Sequence, residues 1–138
     1  MILCVNVFLR VYRCGFATTQ EAYNKAIQEL TASFDRIDAI LQKNKFIAGD
    51  TLTEADIRLF VTLVRFDEVY VVYFKTNTRS VSFTPAILDY CKRIYAMPGI
   101  ASTCNFEHIK THYFCSHPHL NKMSIIPWGN DFKKLLQE

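Results

Sequence analysis

The sequence predicts an all-α fold, a single helical bundle. Apolar residues recur at spacings of three and four, whereas the strict alternation typical of strands is rare. Half of the 138 residues are hydrophobic and 14% are aromatic, which suffices for a packed core. Only four glycines and four prolines interrupt the chain, and no repeat or linker is visible. The length suits one domain.

The first clear helical pattern begins near Thr18, which forms a possible capping box with Glu21. The pattern ends at Asn44 or at the turn that follows it. Five apolar residues then form one stripe along this helix: Ile27, Leu30, Phe34, Ile37 and Leu41.

A second helix is predicted from Thr53 to about Phe74. Thr53 suits the N-cap position, and the Asp56 carboxylate, three residues later, can reach back to the cap N–H. The helix is apolar on most faces, which is typical of the central helix of a bundle. Arg65 and Asp67 interrupt that apolar surface, and an ion pair or a helix-end contact explains them better than catalysis.

Three further helices are predicted toward the C-terminus. Thr84-Pro85 is an N-cap followed by proline at the first helical position, and this helix ends at residues 97–99. Asn105 suits the cap of a helix extending to Phe114. Residues 132–136 suit a short amphipathic helix, whereas no element is predicted before Thr18.

Composition excludes several classes of protein. The net charge is +3, with 16 basic and 13 acidic residues interspersed, so nucleic-acid binding is not expected. The apolar residues 1–9 are too short to span a membrane and carry no basic segment of a signal peptide. Five cysteines without a Cys-x-x-Cys pair indicate reduced thiols, and we expect a soluble cytoplasmic protein without membrane contact.

Two groups of residues invite a chemical interpretation but support it weakly. The first contains possible zinc ligands: His108, His112, Cys115, His117 and His119. His108 and His112 share a helix face, but no HExxH motif is present, so a polar helix end is the preferred interpretation and no metal is expected. The second is Cys14, the best candidate for a reactive thiol because it lies near Arg13 and a predicted helix start.

The tyrosines Tyr12, Tyr70 and Tyr113 each lie beside an apolar stretch, near the beginning, middle and end of the domain. If their hydroxyls converge on a cleft, they can donate hydrogen bonds to a quinone or phenol oxygen and stack on its ring. Spacing alone leaves open the alternative of three ordinary core tyrosines.

Several stretches resemble the xi class of glutathione transferases, the glutathionyl-hydroquinone reductases. Residues 46–56 contain Ala-Gly-Asp-x-Leu-Thr-x-Ala-Asp, a pattern similar to the helical domain of glutathione transferases in general. The class-specific stretches are residues 11–23 (VYRCGFATTQEAY), 53–70, 97–100, 105–110 and 112–117. Together they extend from Val11 to about Pro127.

The resemblance implies a C-terminal helical domain that contributes to hydrophobic-substrate binding and to homodimer formation. The class positions that bind hydroquinone correspond to Tyr12, Tyr70 and Tyr113, and glutathione is its co-substrate. The class nucleophile lies in a Cys-Pro-Trp-Ala motif of a thioredoxin-like domain, and that motif is absent from this sequence. We therefore expect no catalytic residue here and no activity of the chain alone.

The resemblance also divides the chain. Residues 1–10 match nothing in the class, residues 11–127 form the transferase-like domain, and residues 128–138 form a tail. Cys14 replaces the usual alanine, and Phe114-Cys115 replaces a Tyr-Gly-like pair. Two other functions stay open: a non-catalytic helical interaction module that forms homo- or hetero-oligomers, and a domain with thiol chemistry of its own at Cys14.

Overall fold

The computed structural model describes residues 2–129 and 131–138, and it describes side chains from Val7 onward. Met1 and Asn130, which belong to the predicted N-terminal segment and tail, lie outside the described residues. Within that part of the chain the structure is helical, and its single β contact is an isolated bridge between Phe46 and Gly49. The predicted all-α class is confirmed.

The elements follow one another along the chain as α1 (Ile2–Gly15), α2 (Gln20–Leu41), α3 (Glu54–Leu63), a π-helical turn (Phe66–Tyr70), α4 (Val71–Tyr73), α5 (Pro85–Tyr95), α6 (Ile100–Thr103), α7 (Phe106–Ser116) and α8 (Phe132–Gln137). Helix α1 packs against α2 and α3, and α7 packs against the π-helical turn. The π-helical turn therefore lies between α3, which it follows along the chain, and α7, against which it packs.

Helix α1 is an element that the sequence did not predict. Its residues Val7, Val11 and Cys14 are all buried in the core. Their spacing of four and three places them on one helical face. Because residues 1–9 are apolar at almost every position, that face does not stand out in the sequence.

Helix α2 begins one residue later than predicted. Its N-cap is Thr19, whose backbone is extended and whose Oγ1 accepts a hydrogen bond from the Ala22 N–H at 3.1 Å. The predicted capping box of Thr18 and Glu21 is therefore wrong, because Thr19 occupies the cap position. At the other end the helix stops at Leu41, and the Asn44 side chain donates to the Ile40 carbonyl at 3.2 Å.

The start of α3 is held by a fully buried carboxylate. Asp56 accepts hydrogen bonds at 2.8 Å from both the N–H and the hydroxyl of Thr53, its N-cap. The other carboxylate oxygen accepts the Ile47 N–H at 2.8 Å and lies 3.2 Å from the Tyr90 hydroxyl. Asp56 thus fixes the helix start, the preceding loop and α5 relative to one another.

The predicted continuous helix from Thr53 to Phe74 is wrong in its middle. After Leu63 the chain opens into the wide π-helical turn, in which the Tyr70 N–H lies 3.4 Å from the Arg65 carbonyl, five residues back. Such a turn accommodates one extra residue and rotates the side chains that follow it. Tyr70 is thereby directed into the core.

Two acidic residues of the π-helical turn bind distant backbone. Asp67 accepts the N–H groups of Val81 and Ser82 at 2.7 and 2.8 Å, before the start of α5. Among the described residues no ion pair joins Asp67 to Arg65. Of the two predicted explanations for Asp67, an ion pair or a helix-end contact, the structure therefore shows the helix-end contact. Glu68 accepts the Phe132 N–H at 2.8 Å and thereby anchors α8.

The predicted starts of α5 and α7 are confirmed. Thr84 precedes α5 with Pro85 at its first position, and the Asn105 side chain accepts the His108 N–H at 3.0 Å. Within the described ranges, no helix is long and apolar enough to cross a lipid bilayer.

Candidate functional site

The three predicted tyrosines meet at one point of the structure. Tyr113, on α7, lies with its hydroxyl oxygen 2.8 Å from that of Tyr12 on α1 and 2.9 Å from that of Tyr70 in the π-helical turn. The Tyr70 and Tyr113 rings are nearly perpendicular, with centroids 5.4 Å apart. We call Tyr12, Tyr70 and Tyr113 the tyrosine cluster.

The ring of Phe74 supports all three members of the cluster. Its centroid lies 5.2 Å from that of Tyr12, 5.6 Å from that of Tyr70 and 6.0 Å from that of Tyr113. On its other side Phe74 faces Gly15, where an added Cβ would lie 2.1 Å from the Phe74 ring. Glycine at the end of α1 is thus required for the ring to take this position.

The members of the cluster differ in their access to solvent. Tyr70 is 0% exposed and Tyr113 is buried at 6%, whereas Tyr12 is only partly buried. Tyr12 and Phe16 line a cleft of about 660 Å³ between α1 and α2. Tyr113 lines a separate pocket of about 400 Å³ beside α7. A ligand can therefore approach Tyr12 or Tyr113, while Tyr70 acts from behind them.

Two members of the cluster, Tyr12 and Tyr70, remain protonated at neutral pH. Burial raises the pKa of Tyr12 and of Tyr70 well above that of a free phenol, and the hydrogen bond to Tyr113 raises both further. The charge of Arg65 acts in the opposite direction and lowers the pKa of both groups by a smaller amount. The hydroxyls of Tyr12 and Tyr70 are thus neutral donors and acceptors.

A proton count shows what the cluster offers a ligand. Three hydroxyls carry three protons, and the two hydrogen bonds between them use two. Because Tyr70 is buried, its proton is donated within the cluster, to Tyr113 or to Tyr12. The remaining proton is then carried outward by Tyr12 or Tyr113, and it can be donated to a ligand oxygen.

The candidate metal ligands do not form a metal centre. His117 lies with Nδ1 3.2 Å from the Tyr73 hydroxyl and packs edge-on against Phe16. Cys115 is exposed, and its Sγ is 3.9 Å from the Ser124 carbonyl oxygen. No group of three or more His, Cys, Asp or Glu residues is placed to hold a metal ion in the part of the chain that is described.

The hypothesis of a reactive Cys14 is contradicted. Cys14 is 2% exposed, and burial raises the pKa of its thiol to about 11, although Arg13 lowers it slightly. A nucleophilic cysteine needs an accessible sulfur with a lowered pKa. Cys14 faces the core because it shares the buried face of α1, which the sequence did not reveal.

Sequence reasoning missed three contributors to the site: Phe16, Phe74 and Arg65. Both phenylalanines belong to the aromatic wall around Tyr12, at centroid distances of 6.1 and 5.2 Å. Their neighbours along the chain carry no signal that α1 and α4 meet. The signal for Arg65 is a charged residue in an apolar helix, and an ion pair or a helix-end contact explains that signal equally well without a binding role.

Comparison with known proteins identifies the class. The family "Glutathione S-transferase, C-terminal domain" matches residues 20–93. That match covers more than half of the chain, so the chain belongs to the glutathione S-transferase C-terminal domain family. The predicted resemblance to the xi class is also confirmed by curated relatives and by solved structures.

Two curated relatives show how specific the likeness is. The chain is 48% identical over 121 residues to "Glutathionyl-hydroquinone reductase YqjG" of Escherichia coli K12, a match that covers 86% of this chain and 37% of the relative. It is 44% identical over 119 residues to "Glutathionyl-hydroquinone reductase PcpF" of Sphingobium chlorophenolicum, covering 86% and 38%. The chain thus spans less than two fifths of the length of these relatives.

Solved structures agree with the fold. A glutathione-bound structure of YqjG from Escherichia coli K-12 superimposes with a TM-score of 0.89 at 46% identity, covering 91% of this chain and 41% of that one. Glutathione transferase Xi 1 from Trametes versicolor gives 0.88 at 47% identity, covering 94% and 46%. These TM-scores at this degree of identity show that the helical fold is shared.

Proposed function

We propose that this chain supplies the hydrophobic-substrate and dimerisation domain, residues 11–127, of a glutathione-dependent reductase of glutathionyl-hydroquinones. The observation that carries the proposal is the hydrogen-bonded tyrosine cluster, with one proton left for an external oxygen. The two curated relatives that bear the name glutathionyl-hydroquinone reductase support the substrate class.

In this proposal the chain binds and polarises the aromatic part of the substrate. Tyr12 or Tyr113 donates a hydrogen bond to a hydroquinone oxygen, while Tyr70 holds Tyr113 in place from the core. The exposed ring of Phe16, which lines the cleft beside Tyr12, offers edge and face contacts to the ring, and the buried Phe74 supports Tyr12 from the core. Such donors stabilise charge that develops on the oxygen when the carbon–sulfur bond breaks.

Thiol chemistry is supplied from outside this sequence. A cysteine thiolate of a glutathione-binding domain attacks the thioether sulfur, and the aromatic carbon takes a proton as the hydroquinone leaves. The resulting mixed disulfide with glutathione is resolved by a second glutathione, which yields glutathione disulfide. Two of the described cysteines, Cys14 and Cys91, are buried in the core and take no part. Free thiols suit the reducing cytoplasm.

The first test is ligand binding by the 138-residue chain. Calorimetric titration with 2-S-glutathionyl-hydroquinone should give an affinity that Tyr113→Phe weakens about three- to tenfold, the net effect of one hydrogen bond. Tyr23→Phe is the matched control, because the Tyr23 hydroxyl donates to the Lys75 carbonyl outside the cluster. Equal affinity of wild type and Tyr113→Phe would refute the binding role, and turnover by the chain alone would refute the external nucleophile.

The alternative function, a non-catalytic module that forms oligomers, is favoured by one observation. Large apolar side chains are strongly exposed on the described surface, among them Trp128 at 98% and Phe83 at 89%. Exposed apolar groups of this size are typical of interaction surfaces. Sedimentation combined with the ligand titration would decide: a dimer that Trp128→Ser dissociates, in a chain that binds no glutathionyl-hydroquinone, supports the module, and a monomer at high concentration excludes self-association.

A further inference from the structure

The pocket beside Tyr113 has a distinct electrostatic character. It has a volume of about 400 Å³, and Arg65, Asn105, His108 and His112 line it together with Tyr113. None of its lining residues is acidic. The pocket therefore presents one permanent positive charge next to a member of the tyrosine cluster.

That charge lacks an anionic partner in the described part of the protein. One Nη of Arg65 donates to the Val61 carbonyl, one turn back on the same segment. No carboxylate of the described residues lies within 4 Å of the Arg65 guanidinium, although five other basic side chains have such a partner. A guanidinium carries five N–H donors, so most of its donors are open to an anion.

The surroundings of Arg65 strengthen its interactions. Arg65 is partly buried, and on its other side it lines an apolar cavity of about 120 Å³ with Phe60, Val64 and Ile100. Apolar neighbours lower the local dielectric, so a charge there attracts an anion more strongly than an arginine in open water does. Arg65 also acts on the tyrosine cluster, since its charge opposes the effect of burial at Tyr12 and Tyr70.

We propose that Arg65 is a specificity-determining residue that makes this site prefer hydroquinones bearing an anionic substituent, such as a carboxylate, over neutral hydroquinones. The proposal rests on the proposed function, because it assumes that the aromatic ring lies against Tyr113. In that pose the ring oxygen accepts from the tyrosine cluster, and the carboxylate reaches the open donors of the guanidinium. A planar carboxylate matches the guanidinium fork in shape as well as in charge.

The test compares two probes that differ by one carboxylate: hydroquinone and 2,5-dihydroxybenzoate. Wild type should bind the carboxylate about tenfold more tightly, the scale of a charge-assisted hydrogen bond. Arg65→Gln should abolish that preference, because the affinity for the carboxylate should fall much further than the affinity for hydroquinone. Arg65→Lys should keep part of it, because the charge remains while the fork is lost.

Arg58→Gln is the matched control. Arg58 lies two turns before Arg65 and is exposed in an ion pair with Glu54, so its removal changes the net charge equally and should leave the preference intact. Rising salt should weaken the preference in wild type and not in Arg65→Gln. Thermal unfolding of each variant shows that it folds.

The outcomes separate the two proposals. Equal affinity of wild type for both probes, or an equal loss for both in Arg65→Gln, would overturn the role of Arg65 alone. Tyr113→Phe should lower the affinity for both probes. If the anion preference is present but Tyr113→Phe changes neither affinity, the binding role of the tyrosine cluster is overturned. If wild type binds neither probe, both proposals fail.

Discussion

Gly15 and Phe74 are in direct contact, with no space between them for a side-chain carbon. A Cβ on Gly15 would lie 2.1 Å from the nearest ring atom, far inside contact distance. Phe74 in turn packs against every member of the tyrosine cluster. The missing side chain of one residue thus positions the aromatic ring that supports the candidate site.

Gly15→Ala should destabilise the protein. Overpacking of a buried ring costs about 1–3 kcal/mol, which exceeds the roughly 0.5–1 kcal/mol that alanine gains over glycine in a helix. Urea unfolding measures the difference. In a Phe74→Leu background, Gly15→Ala should lower the free energy of unfolding by less, because the smaller side chain can move away. If the losses from the two substitutions simply add, the two residues do not clash.

Asp56→Ala should be far more damaging than Glu54→Ala, two residues earlier. Asp56 is fully buried and accepts hydrogen bonds from Ile47, Thr53 and Tyr90, so its removal breaks the contacts that hold the start of α3, the preceding loop and α5 together. We expect a loss of about 3 kcal/mol or more. The exposed pair of Glu54 and Arg58 contributes less than about 0.5 kcal/mol. Similar losses for both variants in urea unfolding would contradict this ranking.

The tyrosine cluster predicts an asymmetry in stability. Tyr113→Phe removes both hydrogen bonds that Tyr113 makes within the buried cluster, which should cost about 2 kcal/mol. Tyr12→Phe removes one bond, and Tyr70 keeps its own, so the cost should stay below about 1 kcal/mol. Equal costs, measured by chemical denaturation, would mean that Tyr70 finds another partner.

The cysteines should differ strongly in reactivity. Cys115 is exposed, whereas Cys14 is buried and its pKa is raised from 9.0 to about 11. In native protein at pH 8, iodoacetamide should alkylate Cys115 well before Cys14, as peptide mass spectrometry can follow. Modification of Cys14 at the rate found in urea would contradict its burial.

The same pKa shift has a consequence for stability. The folded-state pKa of Cys14 lies above the unfolded value, so the unfolded state loses its proton first as pH rises. The contribution of this thiol is therefore complete below about pH 9 and falls between pH 9 and pH 11. Cys14→Ala should remove that part of the pH dependence.

The sequence predicted helix starts well where the signal is local. Thr84-Pro85 and Asn105 mark starts through residues adjacent to the helix itself, and both were found where expected. Helix α1 was not predicted because its first residues are apolar at almost every position, so no apolar face can be distinguished from a polar one. The shift from Thr18 to Thr19 at α2 reflects a choice between two neighbouring threonines that only backbone geometry settles.

The candidate site was predictable only in part. Tyr12, Tyr70 and Tyr113 could be singled out by family resemblance, but their mutual hydrogen bonds depend on how α1, the π-helical turn and α7 pack together. The role of Phe74 depends on its contact with Gly15, far away in the sequence. The pocket at Arg65 likewise forms between segments that are distant along the chain.

The π-helical turn makes the central segment sensitive to chain length as well as to composition. The wide turn is defined by a backbone bond that spans five residues, so the number of residues between Arg65 and Tyr70 sets the direction of the side chains that follow. Removal of one residue would restore an ordinary helix and rotate everything after it by about 100°. A single-codon deletion there would therefore separate Tyr70 from Tyr113, so insertions and deletions are expected to be tolerated in surface loops and not in this turn.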